Sequence, residues 1–298
     1  MYLLMKMLYK SCDLIKKTSL LLIISLCNTN ILFSQQIISL PSEEMQKIAI
    51  VDKKLVIDTC VLEIRYEMKS VVDTNFSENK KINHMTLQIG KSVSKYSDAL
   101  SLKRDSISEV YAMQKISMIN ALNRLLPAIK GNSPINIFKN YPTGKITVTD
   151  RIPLTGNFKY IETYVKPNWQ LDSGSMIICG YKCKKAKTVF RGRKYVAWYA
   201  EKIPISDGPW KFWGLPGLIL NIQDDKGNYS FDCTGIQKSL KKPIYISERE
   251  YINTTKDKFY KALKEFHENP AAVLRTSGKI EGGPDNIKSR PYNPIELE

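Results

Sequence analysis

Few side chains in this sequence are spaced for chemistry. The two histidines, His84 and His267, are too few for a histidine-built metal site, and His267 reads as a solvent-facing residue near a helix C-terminus. Cys60, Cys179, Cys183 and Cys233 lack the paired Cys-x-x-Cys spacing of a zinc site. Cys183 stands among lysines that would lower a thiol pKa, but no Gly-rich oxyanion loop adjoins it, so a Cys–His nucleophile is not expected. Asp207 is the one acid beside an aromatic run, as in sugar sites. Glycosidase chemistry needs a second carboxylate ~5 to 9.5 Å away, and capping the turn at Gly208-Pro209 is the simpler role. Asp224-Asp225-Lys226-Gly227-Asn228 lacks the spacing and distal glutamate of a calcium loop and reads as a hairpin turn. No catalytic residue, metal or cofactor is assigned, and the reading leans away from an enzyme.

The unusual stretch is residues 203–220, where Trp210, Phe212 and Trp213 sit among three prolines and three glycines. Pro216-Gly217 suits the centre of a type II turn, with glycine accepting φ > 0, and Gly208-Pro209 marks another bend. Trp198, Asp207, Trp210, Phe212 and Trp213 form the candidate surface for an apolar ligand or a partner; the alternative is that the aromatics are core. The densest basic run is Lys182, Lys184, Lys185, Lys187, Arg191, Arg193 and Lys194. Strand alternation puts Lys182, Lys184 and either Arg191 or Arg193 on one face, a surface for an anionic partner or a solvated outer face.

Lys6, Lys10, Lys16 and Lys17 precede an apolar run at residues 20–26, and no charge follows until Glu43. This reads as a secretion signal over residues 1–34, removed before Gln35; the run is shorter than the ~20 residues of a membrane span. Cys27 follows Leu26 rather than a small residue, which argues against a lipid anchor. The expected location is the periplasm or cell surface, peripheral to a membrane at most. Without the signal, Lys+Arg falls from 45 to 41 and Asp+Glu from 29 to 28, leaving +13. Outside the cytoplasm such a charge meets lipid head groups and surface glycans rather than nucleic acid. Export also makes the four remaining cysteines disulfide candidates with three pairings. Cys179 and Cys183 on one strand would be ~13 Å apart, beyond a bridge's ~7 Å unless Gly180 breaks the strand, so Cys183 with Cys233 is preferred.

The elements that must position these residues are mostly strands. After a polar lead-in at 35–56, alternation from Cys60 to Met68 predicts a half-buried strand, and Met85, Leu87 and Ile89 predict another. Ile107, Tyr111, Met118, Leu122, Leu125 and Ile129 form a helical stripe over 105–130, interrupted at Gln114 and Lys115, that would cover a sheet. Strands are expected at 144–152, 158–166, 174–190, 193–203, 217–223 and 228–236, separated by turns such as Asp172-Ser173-Gly174 and Arg191-Gly192-Arg193. A shorter helix spans 255–267 with Thr254 or Thr255 as cap. The domain runs from 57 to 276, and the Gly-, Pro- and Asn-rich tail at 277–298 is expected to be irregular.

Gly214-Leu215-Pro216-Gly217-Leu218-Ile219 is the signature of the GLPGLI family, secreted proteins of Gram-negative envelopes without an established activity. The chain also resembles that family at Gly180-Tyr181-Lys182-Cys183, at Phe190-Arg191-Gly192-Arg193, at Ala197-Trp198-Tyr199, at Gly208-Pro209-Trp210 and at Tyr292-Asn293-Pro294-Ile295-Glu296. More loosely, the strand succession resembles LolA-type lipoprotein carriers, which implies a strongly curved antiparallel sheet around an apolar cavity plugged by helices. The expectation is a β-rich α+β protein with one curved, half-barrel-like antiparallel sheet and two helices. Its expected role is an exported, non-catalytic envelope protein that binds an apolar or amphiphilic ligand. The alternatives are an interaction subunit docking on another envelope protein and, third, a hydrolase or thiol-redox enzyme.

Overall fold

The computed structural model describes residues 51–298 apart from 118, 119, 122, 124–132, 154, 240 and 277–286. The expected secretion signal lies outside the described residues. Alternation becomes strand where it is strongest: β2 (Leu62–Val71) buries Ile64 and Tyr66 while Arg65 between them is exposed, as a pleated backbone requires. β1 (Lys54–Thr59), which starts within the expected lead-in at 35–56 and runs past its end, precedes it. From β2 a meander runs outward through antiparallel pairings with β3 (Lys80–Ile89), β4 (Ser94–Asp98), β5 (Asn136–Lys139), β6 (Lys145–Ile152) and β7 (Gly156–Thr163). A second meander, β8 (Gln170–Ile178), β9 (Tyr181–Phe190), β10 (Arg193–Ala200), β11 (Leu218–Asp224) and β12 (Tyr229–Lys238), begins at the far edge and ends beside β2. β14 (Ile252–Asn253) pairs in parallel outside β7. The order across the twelve strands is β14-β7-β6-β5-β4-β3-β2-β12-β11-β10-β9-β8.

That order fixes the curvature. β7 and β8 follow each other in sequence but lie ten positions apart in the sheet. Laid flat, ten spacings at ~4.8 Å would separate them by roughly 48 Å, whereas the chain from Thr163 to Gln170 reaches at most about 25 Å. The sheet must curl until its ends approach. It remains open, because no ladder joins β8 to β14.

Two-residue turns make the tight hairpins of the second meander. Cys179 (φ 46°) and Gly180 (φ 80°) join β8 to β9, and Arg191 (φ 50°) and Gly192 (φ 75°) join β9 to β10; positive φ at both central residues is the type I′ geometry that matches strand twist. The expected single strand over 174–190 is therefore a hairpin broken at Gly180. Asp172-Ser173-Gly174, expected as a turn, is a bulge within β8, with Gly174 at φ 131°.

The long helix is also corrected. α1 spans Ala99–Met113 and stops where the apolar stripe is interrupted, because Lys115 adopts φ 54°, outside the helical region. Most of the remaining stripe lies outside the described residues. α2 (Lys256–Glu268) forms as expected: Thr255 caps it by accepting from the Lys258 N–H, and Phe259 and Phe266 are buried. α3 (Pro270–Thr276) follows at once. His267 is half-buried, its Nδ1 3.0 Å from the Pro291 carbonyl, which corrects the solvent-facing expectation.

β1 pairs with β13 (Pro243–Ser247) as a separate two-stranded sheet. Asp58 of β1 ties it to the β3–β4 turn by accepting from the N–H groups of Ser92 (2.8 Å) and Val93 (2.9 Å). Burial pushes this carboxyl up, but the backbone donors at Ser92, Val93, Thr59 and Lys91 outweigh it and hold the pKa at about 2. A carboxyl with a depressed folded pKa stabilises above its ordinary value of 3.8 and loses that contribution as pH falls toward 2. Asp58→Asn should therefore lower the urea midpoint at pH 7, and its gap from the parent should close between pH 4 and pH 2.

Candidate functional site

Between β10 and β11 the chain leaves the sheet, and residues 201–217 fold into the curl. The aromatics of this segment pack against the sheet's inner face. Phe212, 0% exposed, lies with its ring centroid 4.7 Å from Tyr195, 5.0 Å from Trp210, 5.8 Å from Phe190 and 6.1 Å from Phe231. Trp210, 2% exposed, meets Phe190 edge to face at 5.9 Å. Each such side chain contributes ~1.5–3 kcal/mol on burial. Trp210 and Phe212 are thus core, and the ligand-facing reading of these two is corrected.

The segment is closed by its own backbone. The Leu218 N–H donates to Ile203 O (3.1 Å), the Ile219 N–H to Asp207 O (3.0 Å), and the Gly214 N–H to Ser206 Oγ (3.1 Å). The motif glycines serve different needs. Gly214 takes φ 98°, whereas Gly217 is not among the positive-φ residues, contrary to the type II expectation; a Cβ there would stand 2.3 Å from the Ala200 carbonyl oxygen. Gly217 is required for close approach, not for handedness. Asp207 is buried and paired with Lys139 of β5, whose Nζ also donates to Gly208 O at 2.6 Å. Burial pushes the Lys139 amine down and Asp207 pulls it back up.

Lys211 turns the other way, into a second buried ion cluster. Its Nζ meets Glu162 of β7 and Glu296 of the tail, the latter at 2.5 Å. Arg191 bonds Glu162 at 2.8 Å and approaches Glu296 at 3.6 Å, Lys256 lies 3.6 Å from Glu296, and the Tyr260 hydroxyl donates to Glu296 at 3.0 Å. Burial pushes the Glu296 carboxyl up, but Lys211, Arg191 and Lys256 together hold it below its ordinary value. Beside this cluster Arg193 donates to Ile295 O (3.1 Å), Asn293 Oδ1 (2.8 Å) and Pro294 O (2.6 Å) and pairs with Asp224 (3.3 Å). The tail, expected to be irregular, has no regular structure over 287–298, yet it is held in place by these bonds.

Trp213 completes the seam. It stacks on Tyr164 at 4.2 Å and donates to Val165 O at 3.0 Å, while Trp169 donates to Trp213 O at 2.8 Å. The linker between β7 and β8 is thereby clipped to the motif segment. Trp198 stands apart, half-buried, with Lys185 Nζ 5.9 Å from its ring centroid. The basic run divides. Arg191 and Arg193 point into the ion network, whereas Lys184 pairs with Glu201 at 2.8 Å, and Lys185 and Lys187 pair with Asp172 at 3.2 and 2.8 Å.

The expected Cys183–Cys233 pairing is not the one that lies nearest. No two sulfurs of Cys60, Cys179, Cys183 and Cys233 stand at bonding distance in this structure, and the sulfur beside Cys233 is that of Cys179, at 3.5 Å. The break at Gly180 carries Cys179 away from the strand line that the pairing argument assumed. Among the described residues no group of three or more His, Cys, Asp or Glu side chains could hold a metal ion.

The surface that sequence reasoning missed is the β8 edge. Leu171 (62%), Met176 (44%) and Ile177 (76%) are exposed along it. Beside it a groove of about 460 Å³ is lined by Trp169, Gln170, Lys187, Val189, Lys194 and Val196, among others. The available signal was the run Ser175-Met176-Ile177-Ile178, a strand without lysine or proline.

Residues 191–221 match the model of a family described as protein of unknown function (Porph_ging); the match runs from the Arg191-Gly192 turn through the motif segment into β11. No curated protein matches the chain. Two solved structures of PNGF-II, from crystals in space groups P21 and C2, are similar in part. The first has 14% identity and a TM-score of 0.47 over 70% of this chain and 34% of the other, and the second 15% and 0.42 over 73% and 33%. The chain thus spans about a third of the length of PNGF-II.

Two substitutions probe the seam. Glu296→Ala should lower the unfolding free energy by ~3–5 kcal/mol, because it strands buried cations, and the double variant with Lys211→Met should cost less than the sum of the singles; urea denaturation at pH 7 measures both. Gly217→Ala should cost roughly 1–3 kcal/mol by overpacking against the Ala200 carbonyl, read as a lower urea midpoint at unchanged slope.

Proposed function

We propose that the protein is an exported, non-catalytic interaction module that takes up an extended segment of a partner protein along β8. The observation that carries this reading is the apolar edge at Ser175–Ile178, open among the described residues. Natural sheet edges are blunted by lysine, proline, bulges or covering chain; the β8 bulge lies upstream of this stretch, and the stretch itself holds neither lysine nor proline. Strand addition supplies affinity through main-chain hydrogen bonds and selectivity through alternate side chains. Lys182, opposite Ile177 on the neighbouring strand, favours a segment with acidic side chains. Export rests on the N-terminal pattern. The wider GLPGLI likeness is supported by the way its separate pieces, Arg191, Arg193, Trp210 and Tyr292–Glu296, meet around one ion network.

A second reading keeps the amphiphilic ligand but moves it from the aromatic segment to the groove beside β8, where Trp169, Val189 and Val196 offer apolar walls and Lys194 meets an anionic head group.

A photo-crosslinking amino acid at Met176, in cells that make the protein, tests the first reading. A discrete protein adduct is expected, reduced at least tenfold by Ile177→Lys and unaffected by Lys194→Glu. Adducts equal to those from a control position at Lys258 on α2, or none at all, would overturn it. A co-purifying lipid lost on Lys194→Glu would favour the second reading instead.

A further inference from the structure

Cys179 sits at the first central position of the β8–β9 turn with φ 46°, a backbone region that favours Asn, Asp or Gly over other residues. Its side chain is turned toward β12: Sγ lies 3.3 Å from the Cys233 carbonyl oxygen and 3.5 Å from Cys233 Sγ. β9 and β12 are separated in the sheet by β10 and β11, which in a flat sheet would hold them ~14 Å apart. The two sulfurs meet because the sheet is curled. Cys233 stands at the bulge where the β12 register against β2 shifts. Cys183 is buried with its Sγ 3.4 Å from the Tyr181 carbonyl, and Cys60 is buried with its Sγ 3.2 Å from the Leu62 carbonyl.

We infer that Cys179 and Cys233 form a disulfide that ties the tip of the edge hairpin to β12. The oxidant is a small-molecule or protein disulfide, RS–SR. Cys179, the exposed member of the pair, loses its proton and attacks RS–SR; a Cys179–SR bond forms, the RS–SR bond breaks, and the departing thiolate takes up a proton. Cys233 then loses its proton and attacks the Cys179 sulfur, forming the internal bond and releasing the second RSH. Two protein thiols are oxidised and one disulfide is reduced to two thiols. The order follows from exposure: burial, with the neighbouring Cys179, pushes the Cys233 thiol up to about 12, so Cys233 is the weaker first nucleophile. The sulfurs must approach from 3.5 Å to bonding distance, a movement available to a side chain on an exposed turn.

The test uses the full chain, reduced and then equilibrated with oxidised glutathione, alkylated with iodoacetamide under native conditions and mapped by mass spectrometry. A peptide pair joined through Cys179 and Cys233 is expected, with Cys60 and Cys183 alkylated only after denaturation. The thermal midpoint of the oxidised form should exceed that of the reduced form by several degrees, because the bridge closes a long loop of the unfolded chain. Cys179→Asn, which suits this turn position, should keep the fold, abolish the crosslink and make the midpoint independent of reductant, whereas Cys183→Ser should change neither. A Cys183–Cys233 linkage in the folded protein, or four alkylatable cysteines after oxidation, would overturn the inference.

Discussion

Everything in this fold depends on a short piece of chain joining the two ends of a long sheet. The residues between β7 and β8 cannot span a flat twelve-stranded sheet, so the sheet curls, and the curl must then be filled and its ends held. The segment between β10 and β11 does both. Trp210 and Phe212 fill the concavity, Trp213 clips the linker, and Lys211 bonds β7 to the tail. A motif that looks, as letters, like a binding sequence is the internal strut of a strongly bent sheet.

The choice of charge at the seam has its own logic. Apolar packing would hold the edges with less desolvation cost, but it is indifferent to small slips of one edge past the other. Lys211 between two carboxylates, with Arg191 reaching the same pair, defines one relative position of β7, the β9–β10 turn and the tail. Arg193 extends that definition to the Asp224 turn by bonding two backbone carbonyls, an amide oxygen and a carboxylate.

What the sequence made legible was whatever depends on nearest neighbours. The alternation of β2, the Arg191-Gly192 turn and the Thr255 cap are local, and each forms as read. The β8–β9 turn was missed because Cys-Gly is not a usual hairpin dipeptide, and its geometry is tolerated in a context that includes Cys233. β4 was missed because Ser94, Lys95, Ser97 and Asp98 carry no apolar alternation; they are buried by partners far along the chain, Lys95 donating to the Tyr245 carbonyl and Asp98 accepting from the Ser133 N–H group. Gly217 and Gly214 are one letter with two purposes, which only the approach of Ala200 separates. Whether Trp210 faced a ligand or a core was likewise undecidable from its identity, because an aromatic side chain suits both.

The docked tail also sets an order in time. Asn293 donates to the Val71 carbonyl, 222 residues earlier, and Glu296 completes the charge on Lys211. A chain made from its N-terminus therefore cannot close its seam until residues 293–296 are available, and contacts of such long separation form slowly. The strands of the first meander, although they can pair with near neighbours in sequence, thus wait for residues more than two hundred positions later before the seam beside them is locked.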